Sequence, residues 1–187
     1  MDVDKIRMLA QEPIAIERND NELVFVTVSR ISHEKGIEKC AIMAQMLEDR
    51  NIKYKWYIIG GGFGGKYDVL VEESLKGHNI EWVGYSDNPY KYIANADYGV
   101  LFTKDESWGL FPDECWLLGT PTITTDFDTL KERPNYKNYG ITCNQELSNL
   151  NIDEIIEKKD ILKKNLKKWK FVNEYDKWTD VFKELLK

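Results

Sequence analysis

The sequence predicts an α/β protein in which a parallel sheet is covered by helices on both faces, and three observations predict it. Short, nearly continuous apolar runs recur along the chain, as expected of strands buried on both sides. Between them lie longer stretches whose apolar residues follow helical spacing. The two kinds of segment alternate, which is the pattern of βαβ units.

Leu23 to Val28 is β-branched and reads as the first strand; Gly36 to Arg50 follows as a helix with Ile37, Cys40, Ala41, Ala44 and Leu47 on one face. Trp56 to Ile59 is the second strand, followed by a helix from about Tyr67 to Leu75. Strand Ile80 to Val83, a short helix near Tyr90 to Ala94 and strand Tyr98 to Phe102 come next. Pro112 suits the first turn of a further helix, where its missing N–H is not needed, and Gly119 suits that helix's end. Strand Thr122 to Thr125 completes a five-strand expectation. From Asn151 the chain reads as helical, with Asn151 and Glu154 as a capping box and Tyr175, Trp178, Val181, Phe182 and Leu185 as an apolar stripe. One sheet domain spanning 1–187, with 151–187 as a helical tail packed on it, is the expected organisation.

The chain has 187 residues, 42% of them hydrophobic, enough for a sizeable core. A net charge of -6 argues against a general nucleic-acid or membrane-surface binder, so any anion must be held locally. Cys40, Cys115 and Cys143 are odd in number, lack C-x-x-C spacing and fall in apolar stretches, which suits the reducing cytoplasm. No apolar run approaches a membrane span, and the polar start from Met1 to Lys5 is no signal peptide. His33 and His78 are too isolated for a multi-histidine site, so no metal is expected.

Glu106-Ser107-Trp108-Gly109-Leu110-Phe111-Pro112-Asp113-Glu114 places two carboxylates eight positions apart around a glycine turn that opens a helix. N–H groups freed near Gly109, Leu110 and Phe111 suit a phosphate, while the acids on either side suit hydroxyls. The alternative is a loop acid at Glu106 and a solvent-side helix acid at Glu114, but Cys115, Trp116, Leu117 and Leu118 put Glu114 at the edge of the core. The loop after the first strand, Ser29 to Gly36, carries Arg30 and Lys35 at the carboxyl edge of a parallel sheet, where such sheets bind ligands. Arg30 can fork onto two phosphate oxygens, and Lys35 adds a mobile point charge.

Gly60 to Gly65 formally satisfies G-x-G-x-x-G, but it follows the second strand rather than the first, and no acid ends the next strand. It nearly makes a P-loop through Gly65-Lys66, yet Tyr67 stands where Ser or Thr must bind magnesium. What remains is a strand end where Gly60 and Gly62 let backbone approach a ligand. Asp126-Phe127-Asp128 is a D-x-D read as loop acids, as is Asp2-Val3-Asp4.

From roughly Asp2 to Gly140 the chain resembles the C-terminal half of a family 4, or group 1, glycosyltransferase, whose fold is two facing Rossmann-like domains. The resemblance rests on Val28-Ser29-Arg30-Ile31 with Lys35-Gly36, on Ile58-Ile59-Gly60-Gly61-Gly62, on Val83-Gly84-Tyr85, and on the E-x7-E motif with Gly119-Thr120-Pro121-Thr122-Ile123. It implies a retaining, metal-independent transferase with no cofactor, whose donor is a UDP-, GDP- or ADP-sugar. By the same resemblance Arg30 and Lys35 neutralise the donor diphosphate with the Gly109 and Leu110 N–H groups, beside Trp108. Glu106 faces the transferred sugar, Glu114 binds the ribose, and the backbone near Gly84 and Tyr85 takes the base. Ser29 stands where the family usually has Gly and Trp108 where Phe is commoner. An N-terminal acceptor domain, in the same or a separate chain, is the implied partner, with any peripheral membrane contact made through that half; this chain starts about where the second domain begins. The expected function is donor binding in polysaccharide or glycolipid synthesis, with little transfer by this chain alone. A nicotinamide oxidoreductase built on Gly60 to Gly65 and a stand-alone binding subunit are the alternatives.

Overall fold

Six parallel strands form the sheet: β1 (Leu23–Val28), β2 (Tyr54–Ile59), β3 (Ile80–Gly84), β4 (Tyr98–Leu101), β5 (Thr122–Thr125) and β6 (Gly140–Cys143), in spatial order β3-β2-β1-β4-β5-β6. The computed structural model describes residues 1–16, 18–19 and 21–171. The apolar stripe expected at Tyr175 to Leu185 lies outside the described residues.

Alternate residues of each strand face opposite sides, so one sheet feeds two cores. Phe25, Trp56 and Ile58 pack with α2 (Lys39–Asp49), α3 (Lys66–Leu75) and α7 (Ile152–Leu166). Val24, Val26, Tyr57 and Ile59 pack with α4 (Tyr90–Ala94), α5 (Leu110–Leu117) and α6 (Asp128–Lys131). The near-continuous apolar strands of the sequence have this cause. Trp56 is fully buried at the centre; its indole N–H donates to Thr27 Oγ1 at 3.1 Å, and that hydroxyl donates to the Val100 carbonyl at 3.0 Å. The indole N–H of Trp56 and the hydroxyl of Thr27 are therefore both satisfied in the sheet's interior.

The structure adds β6, α1 (Val3–Ala10) and α6 to the expected elements, so Asp4 and Asp128, read in sequence as loop acids, each lie in the first turn of a helix. β6 is four residues long, and Ile141 and Cys143 are its only buried apolar residues, too short a run to stand out in sequence. α1 is capped by Asp2, whose carboxylate accepts the Lys5 N–H, and it lies against α4 with Ile6 buried. α2 begins at Lys39 rather than Gly36 because Gly36 takes φ +59° and closes a 3-10 turn at His33–Lys35. At α7 the Asn151 side chain accepts from the Asp153 N–H, whereas Glu154 pairs with Lys158 instead of completing a capping box. α7 ends at Leu166, and Trp169 folds back onto Trp116 with ring centres 6.0 Å apart. No helix among the described residues is long and apolar enough to cross a membrane.

Candidate functional site

The strand order turns outward in both directions from β1 and β4, which opens a crevice beyond their carboxyl ends. The two strands pair at Phe25↔Tyr98 and Val26↔Gly99, and the loops that follow them form the crevice walls. A Cβ at Gly36 would lie 2.5 Å from the Phe102 carbonyl oxygen, so glycine lets the first loop close onto the end of β4. The Lys104 N–H fastens it there, donating to the Glu34 carbonyl at 2.7 Å. As a result Lys35 Nζ lies 2.5 Å from Glu106 Oε2, with the two side chains 12% and 14% exposed. A pair this sheltered fixes position more than it adds stability, because desolvation offsets much of the attraction.

Glu106 is held from three further sides. Its N–H donates to Asp105 Oδ1, its carbonyl accepts from Thr129 Oγ1, and its side chain lies against Gly109, whose φ is +62°. α5 starts at the next residue, so the Leu110 and Phe111 N–H groups have no intrahelical carbonyl to meet. Behind the turn lies Arg133, 5% exposed, forked onto Asp113 at 2.9 to 3.2 Å and donating to the Trp108, Gly109 and Thr129 carbonyls. Its guanidinium also lies 4.8 Å from the centre of the Trp108 ring.

Glu114, one turn into α5, is partly buried and accepts from the Tyr90 hydroxyl at 3.3 Å. Burial lifts its carboxyl above the ordinary range; the Tyr90 hydrogen bond opposes this, neighbouring Asp113 adds to it, and the N-terminal ammonium opposes it again. In turn, burial and Glu114 together push the Tyr90 phenol up to about 12.

Of the other residues singled out in sequence, Arg30 stands in the first loop but extends into solvent, 66% exposed, with Glu34 at 3.5 Å. Among the described residues no ion pair joins Arg30 to Glu106, or either cation of that loop to Glu114. Trp108 and Leu110 are exposed on the rim, as is Tyr85. Gly84 takes φ +83° at a bulge between β2 and β3, and its carbonyl accepts the Gly60 N–H at 2.8 Å. The glycines after β2 answer to the protein's own atoms. A Cβ at Gly60 would lie 1.7 Å from the Ser29 carbonyl oxygen, and one at Gly62 would meet the Asp68 carboxylate at 2.1 Å. Tyr67, in the near P-loop, bonds the Glu38 carboxylate and accepts the Ile37 N–H, tying α3 to α2. Lys131 lies 3.3 Å from both Asp126 and Asp128, so the D-x-D acids share a cation.

Sequence reasoning missed Arg133, Asp113, Thr129 and Tyr90. Asp113 sits inside the motif, yet its partner is twenty positions away in a charged Glu132-Arg133 pair that reads as surface. Tyr90 directly follows Pro89 at a helix start, and nothing local links it to Glu114. A surface hollow of about 740 Å³, lined by Trp116, Trp169 and Phe171 among others, includes none of the predicted site residues.

The family model for glycosyl transferases group 1 matches residues 10–171, and the chain belongs to that family. It is 23% identical over 135 residues to an uncharacterized glycosyltransferase of Methanocaldococcus jannaschii, a match covering 68% of this chain and 32% of that protein. Among solved structures it is similar to HepE of Anabaena, captured with UDP and glucose, at 20% identity, covering 78% of this chain and 42% of that one with a TM-score of 0.64. TarM gives a TM-score of 0.69 at 18% identity, covering 90% and 36%. Sucrose-phosphate synthase of Thermosynechococcus elongatus gives 0.64 at 22%, covering 87% and 42%. These likenesses establish the Rossmann-like fold of the glycosyltransferase B type, and the chain spans less than half the length of each of these relatives.

Proposed function

We propose that this chain is the donor-binding half of a retaining glycosyltransferase, holding a nucleoside diphosphate sugar in the crevice between the ends of β1 and β4. The observation that carries the reading is the Lys35–Glu106 pair, which joins the first-strand loop to the E-x7-E turn beside the start of α5. An ammonium has three donors, so Lys35 can keep one on Glu106 and offer others to phosphate. The helix start adds N–H donors and a partial positive charge. Arg30, free to swing from its exposed place, closes the cationic side. Glu106 then accepts from sugar hydroxyls and Glu114 from the ribose, with Tyr90 orienting it. The base lies along the Gly84–Tyr85 backbone, and Gly60 and Gly62 keep the adjoining wall close. HepE with UDP and glucose supports this class of ligand.

In the proposed transfer the bond from the anomeric carbon to the diphosphate breaks, and its electron pair leaves on the phosphate oxygen. The acceptor oxygen bonds the same carbon on the same face, and its proton passes to the departing phosphate oxygen. Charge gathers on the leaving diphosphate, so Lys35, Arg30 and the helix start act where the transition state differs most from the ground state. No metal or cofactor enters this scheme, and the resemblance to metal-independent retaining enzymes supports that. The acceptor is held by a second Rossmann-like domain, in the same or a separate chain, which fits a chain spanning under half of its relatives. Synthesis of a polysaccharide or glycolipid in the cytoplasm is the proposed setting. Family membership sets aside the nicotinamide reading.

Calorimetry with UDP, GDP and ADP and their glucose conjugates tests the reading. One nucleoside diphosphate should bind, and Arg30→Ala, Lys35→Ala and Glu114→Ala should each weaken it by about tenfold or more, the scale of one charge-assisted hydrogen bond. Binding of NADH with none of these ligands bound would overturn it.

A further inference from the structure

Arg133 holds the turn at the start of α5 from its carbonyl side. Nη2 lies 2.7 Å from the Trp108 carbonyl oxygen and 2.7 Å from that of Gly109. No peptide bond among the described residues is cis, and in a trans peptide C=O and N–H point in opposite directions. The Trp108 carbonyl shares its peptide plane with the Gly109 N–H, and the Gly109 carbonyl shares its plane with the Leu110 N–H. One guanidinium gripping both carbonyls therefore turns both N–H groups away from itself. Resting on the donor-binding reading above, we propose that Arg133 is a positioning residue for the donor diphosphate, aiming the Gly109 and Leu110 N–H groups at it from behind.

The surroundings of Arg133 favour aim over mere packing. The fork onto Asp113 fixes the guanidinium plane: Nε and one Nη2 hydrogen go to the carboxylate, and the other Nη2 hydrogen is shared between the Trp108 and Gly109 carbonyls. Asp113 balances the charge, so Arg133 contributes orientation rather than net attraction for the phosphate. Cation-bound carbonyls also make the N–H groups of the same peptides stronger donors. Lysine, a point charge without a planar fork, cannot hold Asp113 and two carbonyls in this geometry at once. The guanidinium also lies over the Trp108 ring, its Cζ 4.8 Å from the ring centre.

The test uses this whole chain with UDP, GDP and ADP, and the matching nucleosides as controls. Arg133→Lys should weaken the preferred nucleoside diphosphate by about ten- to a hundredfold and leave the nucleoside unchanged, since the misaimed groups face phosphate. A loss shared equally by nucleoside and diphosphate would mark a merely structural residue and overturn the proposal. Equal diphosphate binding by Arg133→Lys and the unaltered chain would overturn it while leaving the donor reading intact. Absence of diphosphate binding by the unaltered chain would overturn both. Should Arg133→Lys fail to fold, amide NMR of the unaltered chain decides: on saturation with the preferred diphosphate the Gly109 and Leu110 resonances should move, and their standing still would overturn the proposal.

Discussion

Gly109→Ala tests how the motif turn is built. Gly109 has φ +62° and ψ +91°, a conformation costing an L-residue about 1–3 kcal/mol. A new Cβ would also lie 2.4 Å from Cγ of Glu106 and 3.0 Å from its Cδ, so the glutamate must swing aside. That movement breaks its pair with Lys35, and because both groups can turn toward water the added cost lies between that of an exposed pair and that of a buried one, about 1–2 kcal/mol. The sum is about 2–5 kcal/mol. At about 2–4 °C per kcal/mol for a domain of this size, the melting temperature should fall by about 4–20 °C. Two other alanines separate the contributions in parallel calorimetric melts. Gly119→Ala, at φ +79° with open space around the new Cβ, should report strain alone, about 1–2 kcal/mol. Gly61→Ala, with neither positive φ nor a neighbour within 4 Å, should stay within about 0.5 kcal/mol of the parent. If Gly109→Ala costs no more than Gly119→Ala, the Glu106 side chain is not packed against Gly109 and this description of the site is wrong.

Three further outcomes follow from burial and charge. Burial first among the causes raises Glu114 above the usual 4.5, so the folded state holds its proton longer, and stability falls as pH rises through the folded value. Glu114→Gln should therefore lose less melting temperature than the parent between pH 4 and 8; parallel curves would refute this. At Asp97, burial is outweighed by Lys163, the Val24 N–H and Arg18, which hold the carboxyl below 3.8, so its stabilisation is present above that value and lost as pH falls through the folded pKa. Asp97→Asn should cost about 1–3 kcal/mol in urea melts at pH 7, less than a fully buried pair because Arg18 and Lys163 are 49% and 32% exposed, and the gap should close in acid. Burial pushes the Cys40 and Cys143 thiols up to about 12 and Cys115 well above its usual range, so at pH 8 a disulfide reagent should label the native chain slowly and all three thiols quickly in urea. Fast native labelling would show that these side chains are not enclosed.

Some of the site was legible because it is local. Gly109 opening α5, Pro112 in its first turn and the acids on either side lie within one short stretch, and their spacing already places a helix start beside two carboxylates. The pairing of Lys35 with Glu106 joins residues seventy-one apart, and only strand order brings their loops together. The glycines after β2 read in sequence as room for a ligand, and the structure adds a second reason for them, since Ser29 and Asp68 lie where a Cβ at Gly60 or Gly62 would stand.

What the sequence determined by itself was the alternation of buried strands with amphipathic helices, since apolar periodicity is written residue by residue and each segment must bury its own stripe. What tertiary structure alone decided was which loops meet at the mouth of the sheet, where Arg133 grips the motif turn, and that burial lifts the Glu114 carboxyl. Those depend on distances between segments far apart in the chain, and short strands such as β6 or an isolated arginine carry no local signal of the partner that folding brings to them.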